Sequence, residues 1–179
     1  MNFEEKTIQS KDIFKGRIIK VKVDTVSLPD GRESTREIVE HAGAVAIVAL
    51  DGENNIRLVR QYRKPVEQVL LEIPAGTMEA GEEALSCAQR ELAEETGLQA
   101  ADWERILSYY SAPGFCNEEL HLYLAQDLTP GECSPDNDEF LESVSIPLPE
   151  AYRMIFTGQI IDGKSIIGIQ HAFNRLVRK

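Results

Sequence analysis

The feature that most constrains this chain is a 23-residue window over residues 76–98, GTMEAGEEALSCAQRELAEETGL. A glycine is followed, after five residues, by a glutamate and, after seven more, by the run Arg-Glu-Leu-x-Glu-Glu-x-Gly-Leu. From average residue usage, a chance match at all the fixed positions is rarer than about one in ten million. The pattern predicts a helix over residues 83–96 that ends in a left-handed glycine cap. Its fixed positions are Gly76, Glu82, Arg90, Glu91, Leu92, Glu94, Glu95, Gly97 and Leu98.

The predicted helix places two glutamates beside its apolar side. Leu85, Ala88 and Leu92 recur at helical spacing and are expected to face the core. Glu91 and Glu95 are four residues apart, so they stack on neighbouring turns at the border of that apolar stripe. Two like charges that are held close together and half desolvated are unfavourable unless a cation neutralises them. Because carboxylate oxygens suit a hard divalent ion, the pattern predicts a Mg²⁺ site, with Mn²⁺ as the alternative metal.

Other residues of the window could support such a site. Arg90 and Glu94 also have i,i+4 spacing and could form an ion pair that braces it. Gly76 would let the backbone turn sharply, so that a backbone carbonyl comes close to the metal. The alternative for any one glutamate is an ordinary solvated acidic helix. The complete spacing, with both glycines and the arginine, argues against that alternative.

The window matches the Nudix box, so the chain resembles the hydrolases that cleave a nucleoside diphosphate linked to another group. Segments 42–50, 56–63 and 70–76 resemble the strands that precede the box in the ADP-ribose pyrophosphatase branch, and segment 35–41 resembles its amino-terminal region. The resemblance implies the α/β class. We therefore expect a Nudix-type α/β/α sandwich with a mixed sheet, plus an amino-terminal extension that is an antiparallel β-hairpin or sheet.

The resemblance also implies roles for individual residues. Two box glutamates and a backbone carbonyl would bind metal, and a third glutamate, oriented by the box arginine, would add a ligand or support. Arginines are candidates for the diphosphate or the terminal ribose, because guanidinium grips phosphate oxygens at two points. Two further glutamates are candidates for hydrogen bonds to ribose or adenine, and each of these charges could equally be an ordinary surface residue. The metal ligands would be Glu91, Glu95 and the Ala75 carbonyl, with support from Glu94 and Arg90. The arginines are Arg36, Arg60 and Arg63, and the two further glutamates are Glu37 and Glu72.

A catalytic base is expected from the acidic loop over residues 134–143. In the branch that this chain resembles, the base tends to be a glutamate from a loop well after the box. Glu139 is the first candidate, and Asp138 and Glu142 are the alternatives. The loop has Asn137 where related loops often carry an acid, so its register is open. Its composition also fits a plain solvent-exposed connector.

The composition argues against several classes of protein. A formal net charge of −11 and a pI near 4.8 disfavour nucleic-acid binding, which needs a basic surface. An anionic substrate would then have to be held by locally placed arginines and metal. The three cysteines lack the spacing of a zinc site or a disulfide framework. Because no apolar run resembles a signal peptide or a membrane span, a cytoplasmic protein without membrane association is expected.

The pattern along the chain predicts an extension followed by a catalytic domain. Residues 17–41 are predicted to form a β-hairpin with its turn at Asp30-Gly31, and a lone hairpin is only marginally stable. Residues 1–41 are therefore predicted as an amino-terminal β extension and residues 42–179 as the hydrolase domain. In the branch that the chain resembles, this extension helps to form a homodimer, sometimes by exchange between subunits, and lines the partner's active site. A small edge sheet on a monomer is the alternative.

The predicted function is Mg²⁺-dependent hydrolysis of the diphosphate bond of ADP-ribose, which yields AMP and ribose 5-phosphate. The metal would neutralise phosphate oxygens and lower the pKa of a bound water, and a loop carboxylate would accept the water's proton. The first alternative is a pyrophosphatase for another nucleoside diphosphate sugar, such as GDP-mannose, because the box contacts only the shared diphosphate. A second alternative is a module that binds ADP-ribose without cleaving it. Such modules usually lose box glutamates, and all of them are present here.

Overall fold

The structure is a computed structural model that describes residues 2–131 and 140–177. The chain forms two compact units. The amino-terminal unit contains residues 1–43 and 109–120, and the second unit contains residues 44–108 and 121–179.

The amino-terminal unit is built on a three-stranded antiparallel sheet. Its strands are β1 (Lys6–Lys15), β2 (Ile19–Ser27) and β3 (Glu33–His41), in the order β1-β2-β3. The predicted hairpin is confirmed as β2 and β3, and Gly31 occupies the left-handed region at the turn with φ 84°. β1 was not part of that prediction, and every one of its residues is exposed.

Residues 109–120 belong to this unit because part of the segment pairs with β3. The Val39 amide donates a hydrogen bond to the Phe115 carbonyl at 2.7 Å, and the Asn117 amide donates to the Val39 carbonyl at 3.1 Å. The Asn117 side-chain oxygen also accepts from the His41 amide at 2.8 Å. Through these bonds, residues 115–117 pair with β3 as a short additional strand would, although they are distant from β3 in the sequence.

The second unit carries most of a seven-stranded sheet. The central order is β10-β5-β4-β9-β8, with β6 beside β5 and β7 beside β4. Helix α1 follows β7 in the chain, and α2 and α3 follow β10. The elements are β4 (Ala44–Leu50), β5 (Asn55–Arg63), a 3₁₀ turn (Lys64–Val66), β6 (Gln68–Glu72), β7 (Ala75–Thr77), α1 (Ala84–Thr96), β8 (Leu98–Tyr110), β9 (Glu119–Pro130), β10 (Leu141–Pro147), α2 (Leu148–Phe156) and α3 (Gly163–Val177).

Strand β4 lies between two helical layers, and each of its seven residues is buried. Side chains alternate between the faces of a strand. On one face, Val45, Ile47 and Ala49 join a core cluster with residues of α1. On the other face, Val48 lies so near α3 that a Cβ at Gly168 would stand 2.7 Å from it. The predicted α/β class is thereby confirmed, with a mixed sheet between helices and an amino-terminal antiparallel sheet.

None of the helices in residues 2–131 and 140–177 combines the length and apolarity that a membrane crossing requires.

Candidate active site

Helix α1 presents the box glutamates, and the predicted helix and its cap are confirmed. The helix runs from Ala84 to Thr96, and Gly97 ends it at φ 66° with its amide bonded to the Ala93 carbonyl at 2.9 Å. One detail of the prediction was wrong, because Leu85 is 40 % exposed and does not face the core. The buried stripe passes through Cys87 and Ala88, which places Leu85 beyond its edge.

Glu91 and Glu95 are both buried on α1, deeper than the border of the apolar stripe where the spacing placed them. The Ala75 amide donates a hydrogen bond to Glu95 Oε2 at 3.0 Å. The carbonyl of the preceding residue, Pro74, accepts from the Ile47 amide at 2.8 Å. Backbone contacts on both sides therefore hold the segment that carries Ala75 directly beside a box carboxylate.

Gly76 is required by the close approach of a side chain. A Cβ at this position would lie 1.9 Å from both Cδ and Oε1 of Glu91. This separation is far below van der Waals contact, so any other residue would displace the carboxylate. The first box glycine thus makes room for a box glutamate.

Arg90 ties three box glutamates together. It donates to Glu82 from Nε at 3.0 Å and from Nη2 at 3.1 Å, and from Nη1 to Glu91 and Glu94 at 2.8 Å each. The expected ion pair with Glu94 is therefore present. Hydrogen bonds from Arg90, and then from the Glu79 amide, lower the pKa of Glu82 to about 2. The same contacts, Glu82 first, raise the pKa of Arg90, so this guanidinium stays charged.

The donor chemistry fits a hard divalent cation. Two buried carboxylates, Glu91 and Glu95, and the adjacent backbone of Ala75 supply oxygen atoms, which Mg²⁺ and Mn²⁺ prefer. Across the described ranges, no three His, Cys, Asp or Glu side chains are grouped so as to hold a metal by themselves.

A second ionic cluster surrounds Glu72 at the end of β6. Arg63 grips this carboxylate with two hydrogen bonds, from Nε to Oε1 and from Nη2 to Oε2, at 2.9 Å each. Lys164 Nζ donates to the same Oε2, and it also lies 3.0 Å from Asp162 Oδ2. Burial opposes ionisation of Glu72, but the hydrogen bonds from Arg63 and the charge of Lys164 hold the pKa of this carboxyl below its usual range. We call Glu72, Arg63, Lys164 and Asp162 the Glu72 network.

Two members of this network, Asp162 and Lys164, were not among the predicted site residues. Lys164 is 92 residues from Glu72. Asp162 caps the first turn of α3, because its Oδ2 accepts from the Ser165 amide at 3.0 Å. The Asp-x-x-Ser spacing could have marked the start of a helix, but nothing local links that helix to Glu72.

The other predicted site residues are placed differently. Arg60 and Arg63 are three residues apart on β5, so they project from opposite faces of the sheet. Arg60 pairs at 2.7 Å with Glu142, one of the alternative bases. Arg36 and Glu37 belong to the amino-terminal unit, where Arg36 forms an ion pair with Glu5. The candidate bases Glu139 and Asp138 lie outside the described residues.

Comparison with known proteins shows that the chain belongs to the Nudix family. It matches the NUDIX domain family over residues 40–166. It also matches the nucleoside diphosphate sugar hydrolase N-terminal domain over residues 5–39. A hydrolase of the Nudix class is therefore the kind of enzyme that this fold and site define.

Three individual proteins are similar to this chain over most of its length. The chain is 46 % identical to a methanol dehydrogenase activator of Bacillus methanolicus, over 94 % of this chain and 92 % of that protein. It is 42 % identical to an ADP-ribose pyrophosphatase of Bacillus subtilis, over 95 % of this chain and 93 % of that protein. It is 30 % identical to a GDP-mannose pyrophosphatase of Yersinia enterocolitica, with 78 % of each chain covered.

The fold has a close counterpart among solved structures. The crystal structure of an ADP compounds hydrolase superposes with a TM-score of 0.86 at 21 % sequence identity. The match covers 99 % of this chain and 97 % of that chain. At this identity the likeness concerns the fold.

Proposed function

We propose that this protein hydrolyses the diphosphate bond of ADP-ribose to AMP and ribose 5-phosphate. The observation that carries the proposal is the 42 % identity to the Bacillus subtilis ADP-ribose pyrophosphatase, which extends over 95 % of this chain. The Mycobacterium tuberculosis ADP-ribose pyrophosphatase, 40 % identical over 91 % of this chain, supports the same substrate. The GDP-mannose pyrophosphatases are more distant.

The residues that would hold a Mg²⁺ ion are Glu91, Glu95 and the Ala75 carbonyl, with Mn²⁺ as the alternative. When bound, such an ion neutralises phosphate oxygens and activates water. Arg90 would keep Glu91 and the supporting Glu94 in place through its hydrogen bonds to both.

Arginine side chains would bind the substrate phosphates or the terminal ribose. Arg63 is held by Glu72, which lies three residues before Ala75, whose amide donates a hydrogen bond to Glu95 of the box helix. Arg36, Glu37 and Arg60 remain candidates for substrate contacts, Glu72 would act through Arg63, and Glu139 remains the proposed base.

The test is a panel of nucleoside diphosphate derivatives incubated with purified protein and Mg²⁺. We expect ADP-ribose to be cleaved faster than GDP-mannose, with AMP identified by chromatography. Glu95→Gln should abolish turnover while its circular dichroism stays that of the wild type. Failure to release AMP from ADP-ribose, or full activity of the Glu95→Gln variant, would overturn the proposal.

The methanol dehydrogenase activator of Bacillus methanolicus suggests a second candidate function. Its name states that it activates a methanol dehydrogenase, and its identity to this chain is 46 % over 94 % of the residues. The corresponding test adds wild-type protein or the Glu95→Gln variant to a purified methanol dehydrogenase and measures its rate of methanol oxidation. Stimulation by the wild type would support this candidate, and stimulation by the variant as well would separate it from diphosphate hydrolysis.

We also propose that the protein is a homodimer that uses residues 1–41. β1 presents Ile8, Ile13 and Phe14, each about half exposed, on a ten-residue edge strand. Apolar edge strands tend to be covered by another chain. Replacing Phe14 by serine should shift the mass measured by light scattering towards the monomer, whereas serine at the exposed Phe156 should not. A monomeric wild type at micromolar concentration would refute the homodimer.

A cytoplasmic location is proposed on the state of the cysteines. Cys87 and Cys116 are free thiols, as expected in a reducing compartment. Burial, followed by the hydrogen bond to Glu82, raises the pKa of Cys87 to about 12, so this thiol is unreactive.

A further inference from the structure

We propose that Lys164 is a positioning residue that holds Arg63, through Glu72, in the orientation needed to grip the diphosphate of the substrate. The inference rests on the proposed function, because it assumes that a nucleoside diphosphate is the ligand. It gives Glu72 a supporting role and adds a residue from α3 that carries no part of the box.

Glu72 is placed to orient a neighbour and not to meet a ligand directly. Its side chain is only 1 % exposed, and both of its carboxylate oxygens accept hydrogen bonds from protein groups. The two parallel bonds from Arg63 fix the plane of the guanidinium as well as its distance. Rotation of Arg63 would break both bonds at once.

Arg63 keeps one nitrogen available. Nε and Nη2 are used by Glu72, whereas Nη1 has no hydrogen-bond partner in residues 2–131 and 140–177. The side chain is 39 % exposed, so this edge can be reached from solvent. Glu72 lies three residues before Ala75, whose amide donates to Glu95 Oε2, so the guanidinium that Glu72 holds is tied to the segment that carries the proposed metal ligands. A phosphate bound there would contact both the proposed metal ion and Nη1 of Arg63, which Glu72 already holds in a fixed orientation.

The positive charge of Lys164 helps to neutralise the buried carboxylate of Glu72. The Glu72 network contains two cations and two carboxylates, so its formal charge is zero. A buried carboxylate that loses one of its cations is strongly unfavourable. Without Lys164, we expect Glu72 to draw Arg63 further inward or to admit water, and Nη1 would turn away from the substrate.

The position of Lys164 is itself fixed by the first turn of α3. Ser165 Oγ donates to Asp162 Oδ2 at 2.5 Å and accepts from the Ile73 amide at 2.8 Å. Ile73 is the residue after Glu72, so one helical turn contacts two successive positions of the site segment. Lys164, which is only 11 % exposed, therefore has little freedom to serve another role.

The test is a double-mutant cycle on binding. Lys164→Met, Arg63→Met and the double variant are titrated with ADP-ribose by calorimetry in EDTA, which removes metal and prevents turnover. We expect each single variant to weaken binding about tenfold or more, as loss of a charged hydrogen bond does. The double variant should be no weaker than Arg63→Met alone, because Lys164 acts through Arg63. Lys164→Arg should restore most of the affinity.

Lys64→Met is the matched control, since Lys64 is 78 % exposed and pairs only with Glu67 among the described residues. It should bind as the wild type does. If Lys164→Met does not fold, Lys164→Met combined with Glu72→Gln removes both charges of the buried pair, and it should fold and bind as weakly as Arg63→Met.

Three results would overturn the inference. The first is a Lys164→Met variant that binds ADP-ribose with wild-type affinity. The second is a double variant whose fold-loss in affinity equals the product of the fold-losses of Lys164→Met and Arg63→Met. The third is a wild type that neither binds nor cleaves ADP-ribose, which would remove the proposed function as well. If instead the wild type cleaves ADP-ribose and Lys164→Met behaves like Lys64→Met, only the role of Lys164 is refuted.

Discussion

Gly76→Ala should remove metal-dependent activity without unfolding the protein. The added Cβ would stand 1.9 Å from the Glu91 carboxylate, whereas ordinary contact begins at 3.4 Å, so the carboxylate must move by about 1.5 Å. Mg²⁺ requires ligands near 2.0–2.1 Å in a nearly octahedral arrangement, which a shift of this size destroys. Misplacement of a site group by about 1 Å can cost about a hundredfold in rate, and we expect kcat/KM for ADP-ribose to fall at least that much. Gly76 does not have a left-handed φ, so alanine brings no backbone strain.

The assay measures AMP release as a function of Mg²⁺ concentration, together with Mn²⁺ binding by electron paramagnetic resonance. Gly52→Ala is the matched control, because nothing lies within 4 Å of a Cβ at that position and its φ is also not left-handed. We expect the control to keep wild-type rates and metal affinity. A Gly76→Ala variant with the same Mg²⁺ dependence and rate as Gly52→Ala would show that the position of Glu91 does not matter for catalysis.

Two further predictions concern stability. Ser165→Ala should lower the free energy of unfolding by about 1–3 kcal/mol, because the buried Ile73 amide loses its acceptor. Urea denaturation measures this change, and alanine at the exposed Ser145 should alter it little. The pKa of Glu82 is about 2 in the folded protein and near 4.5 in the unfolded chain, because Arg90 stabilises the charged form. The unfolded state therefore binds more protons, so stability should decline as the pH falls from about 4.5 towards 2. Glu82→Gln should reduce that decline, and an identical acid limb in the variant would refute the assignment.

The parts of the fold that could be predicted depend on local signals. Helix α1 was predictable because its apolar spacing and terminal glycine, Gly97, act within a few residues. The same periodicity placed Glu91 and Glu95 at the border of the apolar stripe, and the structure buries both. Leu85 was assigned wrongly because the spacing admitted two neighbouring stripes, and only the packing of Cys87 and Ala88 against β4 selects between them.

Features that depend on contacts between distant parts of the chain could not be predicted from the sequence. β1 lacks a clean alternation because its register against β2 shifts between Thr7 and Gln9 and again between Asp12 and Phe14. Each shift reverses the face on which the next side chains lie. The contact between Lys164 and Glu72 depends on how α3 packs against the sheet, which no local pattern specifies.

The hold of α3 on Ile73 and Glu72 has a practical consequence for anyone who shortens this protein. Its NUDIX match ends at residue 166, one turn into a helix that continues to Val177. A truncation designed on that boundary would retain every signature residue but leave a stub of α3 too short to stay helical. The loss of catalysis in such a fragment would then be a failure of scaffolding, and it should not be mistaken for proof that the missing residues take part in the chemistry.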